Sequence, residues 1–391
     1  MSNKGENMKK IISITLVGII LLSTFLSVFA DTYTVKEGDV LWRIAQDHNT
    51  TVEEIAKLND LENVNLIQVD QVLKLNEDQM QSTSTGQVRS EVVRFDSHGD
   101  EIVGDLYYPA DYNENQTYTA IVVTGSWTTV KEQMAGLYAE RFAREGFIAL
   151  AYDPRNFGES QGDIRNFESP ALKIEDVKSA VTFLTSLDSV ESIGAFGVCA
   201  GAGYTLVAAS EDDRIQAVAT AASWIHDEEA VKLFYGGEEG VNAKIAQAQA
   251  AKELFETTGE VQYIKKISTT DETAAMFGPY DYYLNPERGG IEEWQPDYFA
   301  LMTWEEWLTF NPRLSAKNLD TPTLMIHSDG AVLPEYTKIY FNEINTIEKK
   351  LIWVGTDLLP SPYHQFSFYD QEKEVSLSVA ESTQWFNEIL K

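Results

Sequence analysis

At 391 residues with 43% hydrophobic side chains, the chain is long enough for two folded units and apolar enough for a packed core, which excludes a disordered polymer. A formal net charge of −31 disfavours nucleic acid and anionic membrane surfaces as partners. A single cysteine excludes an internal disulfide, so its thiol is either an inert core group or a reactive one.

Residues 1–30 read as a signal peptide. Lys4, Lys9 and Lys10 precede an apolar run over 11–29, and Val28-Phe29-Ala30 forms a cleavage-type end before Asp31. The expected localisation is extracellular, with no stable membrane insertion once the leader is removed. From Tyr33 to Leu75 the pattern is β-α-α-β: a strand at Tyr33-Thr34-Val35, a turn at Glu37-Gly38-Asp39, a helix through Leu41, Ile44 and Ala45, a second through Val52, Ile55, Ala56 and Leu58, and a last strand over 72–75. The stretches 33–39, 41–45, Leu58-Asn59 and 71–75 closely resemble the LysM family. The resemblance implies a module over 31–76 that binds N-acetylglucosamine-containing glycans, peptidoglycan or chitin, and so associates with the cell wall. Its groove would lie between Gly38, Asp39, Val40, Leu41 and Asn65, Leu66, Ile67, Gln68. The chain departs from the family pattern at Val40, where threonine is usual, and at Asp70, where glycine is usual.

Residues 77–90 are polar and small, without apolar periodicity, and read as a flexible linker. From 91 to 391 strand-like runs alternate with helix-like ones. Strands are expected at 92–95, 102–108, 120–124, 147–152, 193–198, 215–221, 323–326 and 350–354, with a hairpin turn at His98-Gly99-Asp100. Helices are expected at 132–144, 174–187, 201–209, 335–344 and through Trp385. Such alternation defines an α/β fold, a mostly parallel sheet covered by helices on both faces. At about 225–312 it breaks into an aromatic-rich segment with Trp294, Trp304 and Trp307, read as an inserted cap.

The chemistry centres on Gly197-Val198-Cys199-Ala200-Gly201, which follows a strand and precedes a helix. This is the Gly-x-nucleophile-x-Gly elbow, a strained turn that exposes the nucleophile and aims the next backbone N–H at the substrate oxygen. Cys199 is the candidate nucleophile and Ala200 the first oxyanion donor. The second donor is expected in Thr124-Gly125-Ser126-Trp127, from Ser126 ahead of Trp127. Chain order in this fold runs nucleophile, acid, histidine, which points to His364 as base, with His226 as the other candidate. The acid is expected at Asp329, after the 323–326 strand, with Asp227 as the alternative. Asp153 and Arg155, in Asp153-Pro154-Arg155, are read as structural.

The elbow extended through Ala202-Gly203-Tyr204, the stretch Val130-Lys131-Glu132-Gln133, and the stretch from His364 to Asp370 together resemble the dienelactone-hydrolase-like branch of the α/β hydrolases. That resemblance implies an α/β-hydrolase fold with a Cys-His-Asp triad. The expected function is hydrolysis of an ester, lactone or thioester through an acyl-enzyme. The alternatives are acyl transfer to a wall-linked acceptor, or a non-catalytic glycan-binding protein with a relic hydrolase domain. No phosphate loop, nicotinamide fingerprint or His-Glu-x-x-His zinc motif is present, so no cofactor or metal is expected.

Overall fold

The computed structural model describes residues 32–36, 44–45, 52–59, 61, 67, 71–75, 88–355 and 359–390. The expected signal peptide, most of the expected linker, and every candidate glycan contact except Ile67 lie outside the described residues. The chain divides into two units, Met1–Thr83 and Ser84–Lys391. Among the described residues no helix is long and apolar enough to cross a membrane.

In the small unit β1 (Thr32–Thr34) pairs antiparallel with β2 (Val72–Lys74), Tyr33 opposite Leu73. Helix α1 (Val52–Leu58) sends Ile55 into a core with Val35, Ile44, Ala45, Leu73 and Leu75. Asn59, just past the helix, ties it to the sheet: its Nδ2 donates to the Lys74 carbonyl at 2.8 Å and its Oδ1 accepts from the Lys74 N–H at 2.8 Å. One amide side chain thus satisfies both main-chain polar groups of an edge residue, which accounts for asparagine at that place.

The large unit is built on eight strands: β3 (Arg89–Ser97), β4 (Asp100–Tyr108), β5 (Tyr118–Thr124), β6 (Ile148–Tyr152), β7 (Val190–Val198), β8 (Ala217–Ala221), β9 (Thr323–Ser328) and β10 (Lys349–Val354). Their order is β10-β9-β8-β7-β5-β6-β4-β3, and only β4 runs against the others. The central strands are continuous apolar runs because helices cover both faces. Helix α2 (Gly136–Arg144) packs with the C-terminal helix, while α3 (Pro170–Thr185) packs with α4 (Ala200–Glu211). Strand β3 begins earlier than expected, inside the stretch read as linker. Arg89 pairs with Tyr108 in the ladder, and its guanidinium lies 4.3 Å from the Tyr108 ring centre, a cross-strand contact that a composition-based boundary does not register. The β3–β4 hairpin turns at His98 (φ 55°) and Gly99 (φ 98°), both left-handed as a two-residue hairpin requires.

Between β8 and β9 the chain forms the cap: α5 (Glu228–Phe234), α6 (Gly237–Thr258), α7 (Asp281–Leu284), α8 (Thr303–Thr309) and two pairs of two-residue strands. Most of its aromatics are structural. Trp294, Phe299 and Trp304 are fully buried. Trp127, from the loop after β5, packs its ring 5.1–5.8 Å from those of Phe299, Trp304 and Trp307, which joins the cap to the edge of the site.

Candidate active site

Cys199 stands between β7 and α4 with φ 57° and ψ −121°. A non-glycine residue is held there only when its surroundings over-determine it. The flanking glycines do so by removing bulk. A Cβ on Gly197 would lie 2.6 Å from the Gly201 carbonyl oxygen, and one on Gly201 would lie 2.2 Å from the Gly125 oxygen. The turn is further fastened by the Trp224 N–H, which donates to the Cys199 carbonyl at 2.8 Å.

The thiol is 5% exposed. Burial pushes it above the ordinary thiol range, opposed by the hydroxyls of Ser126 and Tyr369 and by the backbone N–H groups of Ala200 and Trp127, all of which converge on the sulfur. At neutral pH the resting group is a thiol. The Ala200 N–H, read from the sequence as the first oxyanion donor, lies at the sulfur. The second backbone donor that reaches the sulfur is Trp127, whereas Ser126 contributes its hydroxyl. The loop carrying both is rigid. Thr128, at φ 61°, donates its N–H to Glu168 at 2.9 Å, and the fully buried Glu168 also binds the Tyr204 hydroxyl at 2.6 Å and the Lys173 ammonium at 2.7 Å.

The base and acid depart from expectation. His364 is buried, and both of its ring nitrogens are engaged away from the cavity lining. Nδ1 lies 2.7 Å from Ser328 Oγ, Nε2 lies 3.2 Å from a Glu374 carboxylate oxygen, and the ring packs on Phe368. Asp329 is on the surface, its carboxylate 3.5 Å from the Lys338 ammonium. The structure does not hydrogen-bond Cys199, His364 and Asp329 into a triad. The alternatives are engaged elsewhere too. Asp227 caps α5 through the N–H groups of Glu229 and Ala230, both at 3.0 Å, and binds Arg313. His226 accepts from Trp224 Nε1 at 3.0 Å on Nδ1 and meets the Trp307 carbonyl at 3.1 Å through Nε2. Burial lowers its pKa to about 4.

The neighbouring side chain, Gln365, lines the same cavity as the thiol. Its Oε1 accepts the Val332 N–H at 3.1 Å, and its Nε2 donates to the Ala222 carbonyl at 2.7 Å and lies 3.5 Å from the Tyr369 hydroxyl. The Tyr369 hydroxyl is 3.2 Å from Ser126 Oγ, which the Tyr283 hydroxyl approaches at 3.4 Å. Burial raises both tyrosines far above their ordinary range, so they act as neutral hydroxyls. Gln365 and Tyr369 were not singled out in the sequence, although the signal is there: they are four apart on consecutive helical turns and share one face, while His364 and Phe368 share the next.

Cys199, Ser126, Trp127, Val332, Gln365 and Tyr369 border one cavity of about 440 Å³. Its other walls are mostly aromatic, among them Trp224, Tyr235, Tyr283, Trp307 and Phe366, and the cap adds Lys244 and Glu272. Elsewhere, Asp153 is structural as expected from the sequence, accepting the N–H groups of Lys131 at 2.9 Å and Glu159 at 2.8 Å, while Arg155 pairs with the buried Asp176 at 2.9 Å. Among the described residues, Glu132, Asp153 and Glu159 form a cluster of acidic oxygens, but Lys131 Nζ pairs with all three and takes the position a cation would need.

A strand-elbow-helix under an inserted cap, on this sheet order, defines an α/β hydrolase. The chain belongs to the X-Pro dipeptidyl-peptidase (S15) family, whose model matches residues 98–346, and the LysM domain model matches residues 33–76. The uncharacterized protein YcjY of Escherichia coli K12 is 43% identical over 120 residues, covering 30% of this chain and 39% of its own length. The acyltransferase drtE of Aspergillus calidoustus is 33% identical over 249 residues, covering 59% of this chain and 76% of its own length. The crystal structure of hypothetical protein PA2218 from Pseudomonas aeruginosa superposes with a TM-score of 0.67 at 26% identity, over 78% of this chain and 94% of that one.

Proposed function

We propose that the large unit takes acyl groups from ester-type carbonyls onto Cys199, and that the small unit holds the protein on a glycan of the cell wall. The observation that carries the reading is the convergence of an elbow thiol and the backbone N–H groups of Ala200 and Trp127 on one aromatic-walled cavity. A carbonyl seated over the sulfur turns its oxygen toward those N–H groups. Attack by sulfur then forms a tetrahedral oxyanion whose charge falls on donors already in place, a stabilisation of about 3–4 kcal/mol per donor in comparable sites. The aromatic walls favour an apolar or aromatic acyl group. Relatives described as an acyltransferase, a thiohydrolase and a polyketide transferase support acyl chemistry as the shared theme. The leader-like residues 1–30 and the LysM match favour an exported, wall-associated protein.

The test is intact-protein mass spectrometry of the full mature chain after exposure to p-nitrophenyl esters of graded acyl length. One acyl adduct per chain is expected on the wild type and none on Cys199→Ala. Equal labelling of the two would sink the assignment. The same protein should co-sediment with purified peptidoglycan and be released by soluble N-acetylglucosamine oligomers. Failure to sediment would remove the wall from the reading.

A further inference from the structure

The groups that act on the Cys199 sulfur are the hydroxyls of Ser126 and Tyr369 and the backbone N–H groups of Ala200 and Trp127, and they include no imidazole and no carboxylate. The chain has five histidines, four of them in the large unit. His98 pairs with Glu175 on the β3–β4 hairpin, His226 is held by Trp224 and Trp307, His327 packs edge-on to Trp353 within β9, and His364 is held between Ser328 and Glu374. None lines the cavity. Gln365 lines the cavity, and its amide, which neither gains nor loses a proton near neutral pH, is fastened through both its oxygen and its nitrogen. The backbone that receives Gln365 Oε1 belongs to Val332, an apolar residue that also lines the cavity, so the place from which a carboxylate could orient a base holds no charge. The remaining titratable groups of the cavity wall, besides Cys199 itself, are the cap residues Lys244 and Glu272 and four tyrosines, Tyr235, Tyr280, Tyr283 and Tyr369. Lys244, whose pKa burial lowers, lies 4.2 Å from the Trp304 ring centre on the cap wall, and Glu272 is exposed. The tyrosines are neutral donors at physiological pH.

Water and alcohols are poor nucleophiles until a base removes their proton as they attack, whereas a free primary amine attacks a thioester with its own lone pair. Resting on the reading of Cys199 as the acyl acceptor, we infer that the acyl group stays on the sulfur as a thioester that water does not discharge, and that the protein transfers it from an activated thioester donor to a primary amine. In the first step the Cys199 sulfur forms a bond to the donor carbonyl carbon and the carbon–sulfur bond of the donor breaks. The thiol proton passes through the Tyr369 hydroxyl to the departing thiolate, which leaves as a thiol. In the second step the amine nitrogen bonds to the acyl carbon, the bond to Cys199 breaks, and one N–H proton returns to the sulfur. Nothing is oxidised or reduced. Ser126, Tyr369, Ala200 and Trp127 hold the oxyanion or the thiolate in turn.

The experiment uses the full mature chain, the N-acetylcysteamine thioester of a medium-chain acid as donor and n-butylamine as acceptor. Intact mass should show one acyl group per chain on Cys199, with less than one equivalent of free acid released over hours in buffer. Addition of the amine should discharge the adduct at least tenfold faster and yield the amide. Sustained release of free acid beyond one equivalent per chain, without amine, overturns the inference while leaving Cys199 as acyl acceptor. Absence of any adduct overturns both. A double variant, Gln365→His with Val332→Asp, supplies the missing imidazole and a carboxylate beside it. It should convert the protein to a hydrolase with water discharge raised about 10²-fold or more, the usual yield of general-base catalysis. If that variant acylates normally, retains the wild-type circular dichroism spectrum and still discharges no faster in water, the missing base is not what holds the acyl group and the inference falls. Should the double variant not fold, imidazole added to the acylated wild type gives the same reading: faster discharge supports the inference, and no acceleration counts against it.

Discussion

The two sides of the cavity differ in what fixes them. On the elbow side, the backbone itself makes the site. Cys199 is forced to φ 57° by the strand and helix that cross there, and Gly197 and Gly201 leave no room for any side chain. On the opposite side, side chains alone decide. Gln365, Val332 and Tyr369 are held by individual hydrogen bonds and packing, with no strained turn to fix them. The fold therefore fixes a thiol on a strained turn with the N–H groups of Ala200 and Trp127 beside it, but it does not by itself supply a base. An intact elbow is evidence of fold and of acyl-group geometry, and the proton chemistry has to be read separately.

The largest effect should come from attacking the backbone-made side. Gly201→Ala would push a methyl to 2.2 Å from the Gly125 oxygen and 2.5 Å from the Thr124 oxygen, main-chain atoms that cannot rotate aside. A loss of about 3–5 kcal/mol is expected in urea unfolding, or no folded protein at all. A near-neutral result would mean that the elbow is not rigid and would dissolve the contrast between the two sides.

A smaller effect should appear on acidification. Burial holds His226 at about 4, and burial together with the Lys338 charge holds His327 at about 3, below the ordinary 6.5. Both rings are neutral in the folded protein, while the unfolded chain protonates them below about pH 6.5. Their contribution is therefore intact above pH 6.5 and is lost progressively as pH falls toward 4 and then 3. At pH 5 each should cost on the order of 1–2 kcal/mol of stability relative to pH 7. Since one ring lies beside the elbow and the other in β9, His327→Leu should remove about half of that drop. Unchanged pH dependence in that variant would show that β9 carries none of it.

The smallest effect is expected at Asp329. Its carboxylate is exposed and paired only with Lys338, so Asp329→Asn should change stability by less than about 0.5 kcal/mol and leave acylation of Cys199 unaltered. A marked fall in the acylation rate would restore Asp329 to the machinery and require the loop after β9 to rearrange during the reaction.

Much of this protein was legible from its residues in order. The parallel sheet, the cap, the LysM pattern and the elbow are local signals: apolar runs bounded by turns, an aromatic interruption, and glycines at positions where sterics admit nothing else. The start of β3 is not legible in composition, because Arg89 joins the strand through a contact with Tyr108, nineteen positions on and across the hairpin. Which residue of the pair His364-Gln365 lines the cavity was beyond the sequence for a related reason. Neighbours on a helical turn point in directions roughly 100–120° apart, so moving one residue exchanges cavity for core. Two distant groups, Ser328 at the end of β9 and Glu374 in the C-terminal helix, draw the imidazole into the core, and the amide turns toward Ala222, Val332 and Tyr369. The order of residues determined that a thiol would stand on a strained turn at the end of a central strand. Only the tertiary packing decided that an amide, and not an imidazole, would line the cavity beside it, because that choice rests on hydrogen bonds between segments far apart in the chain.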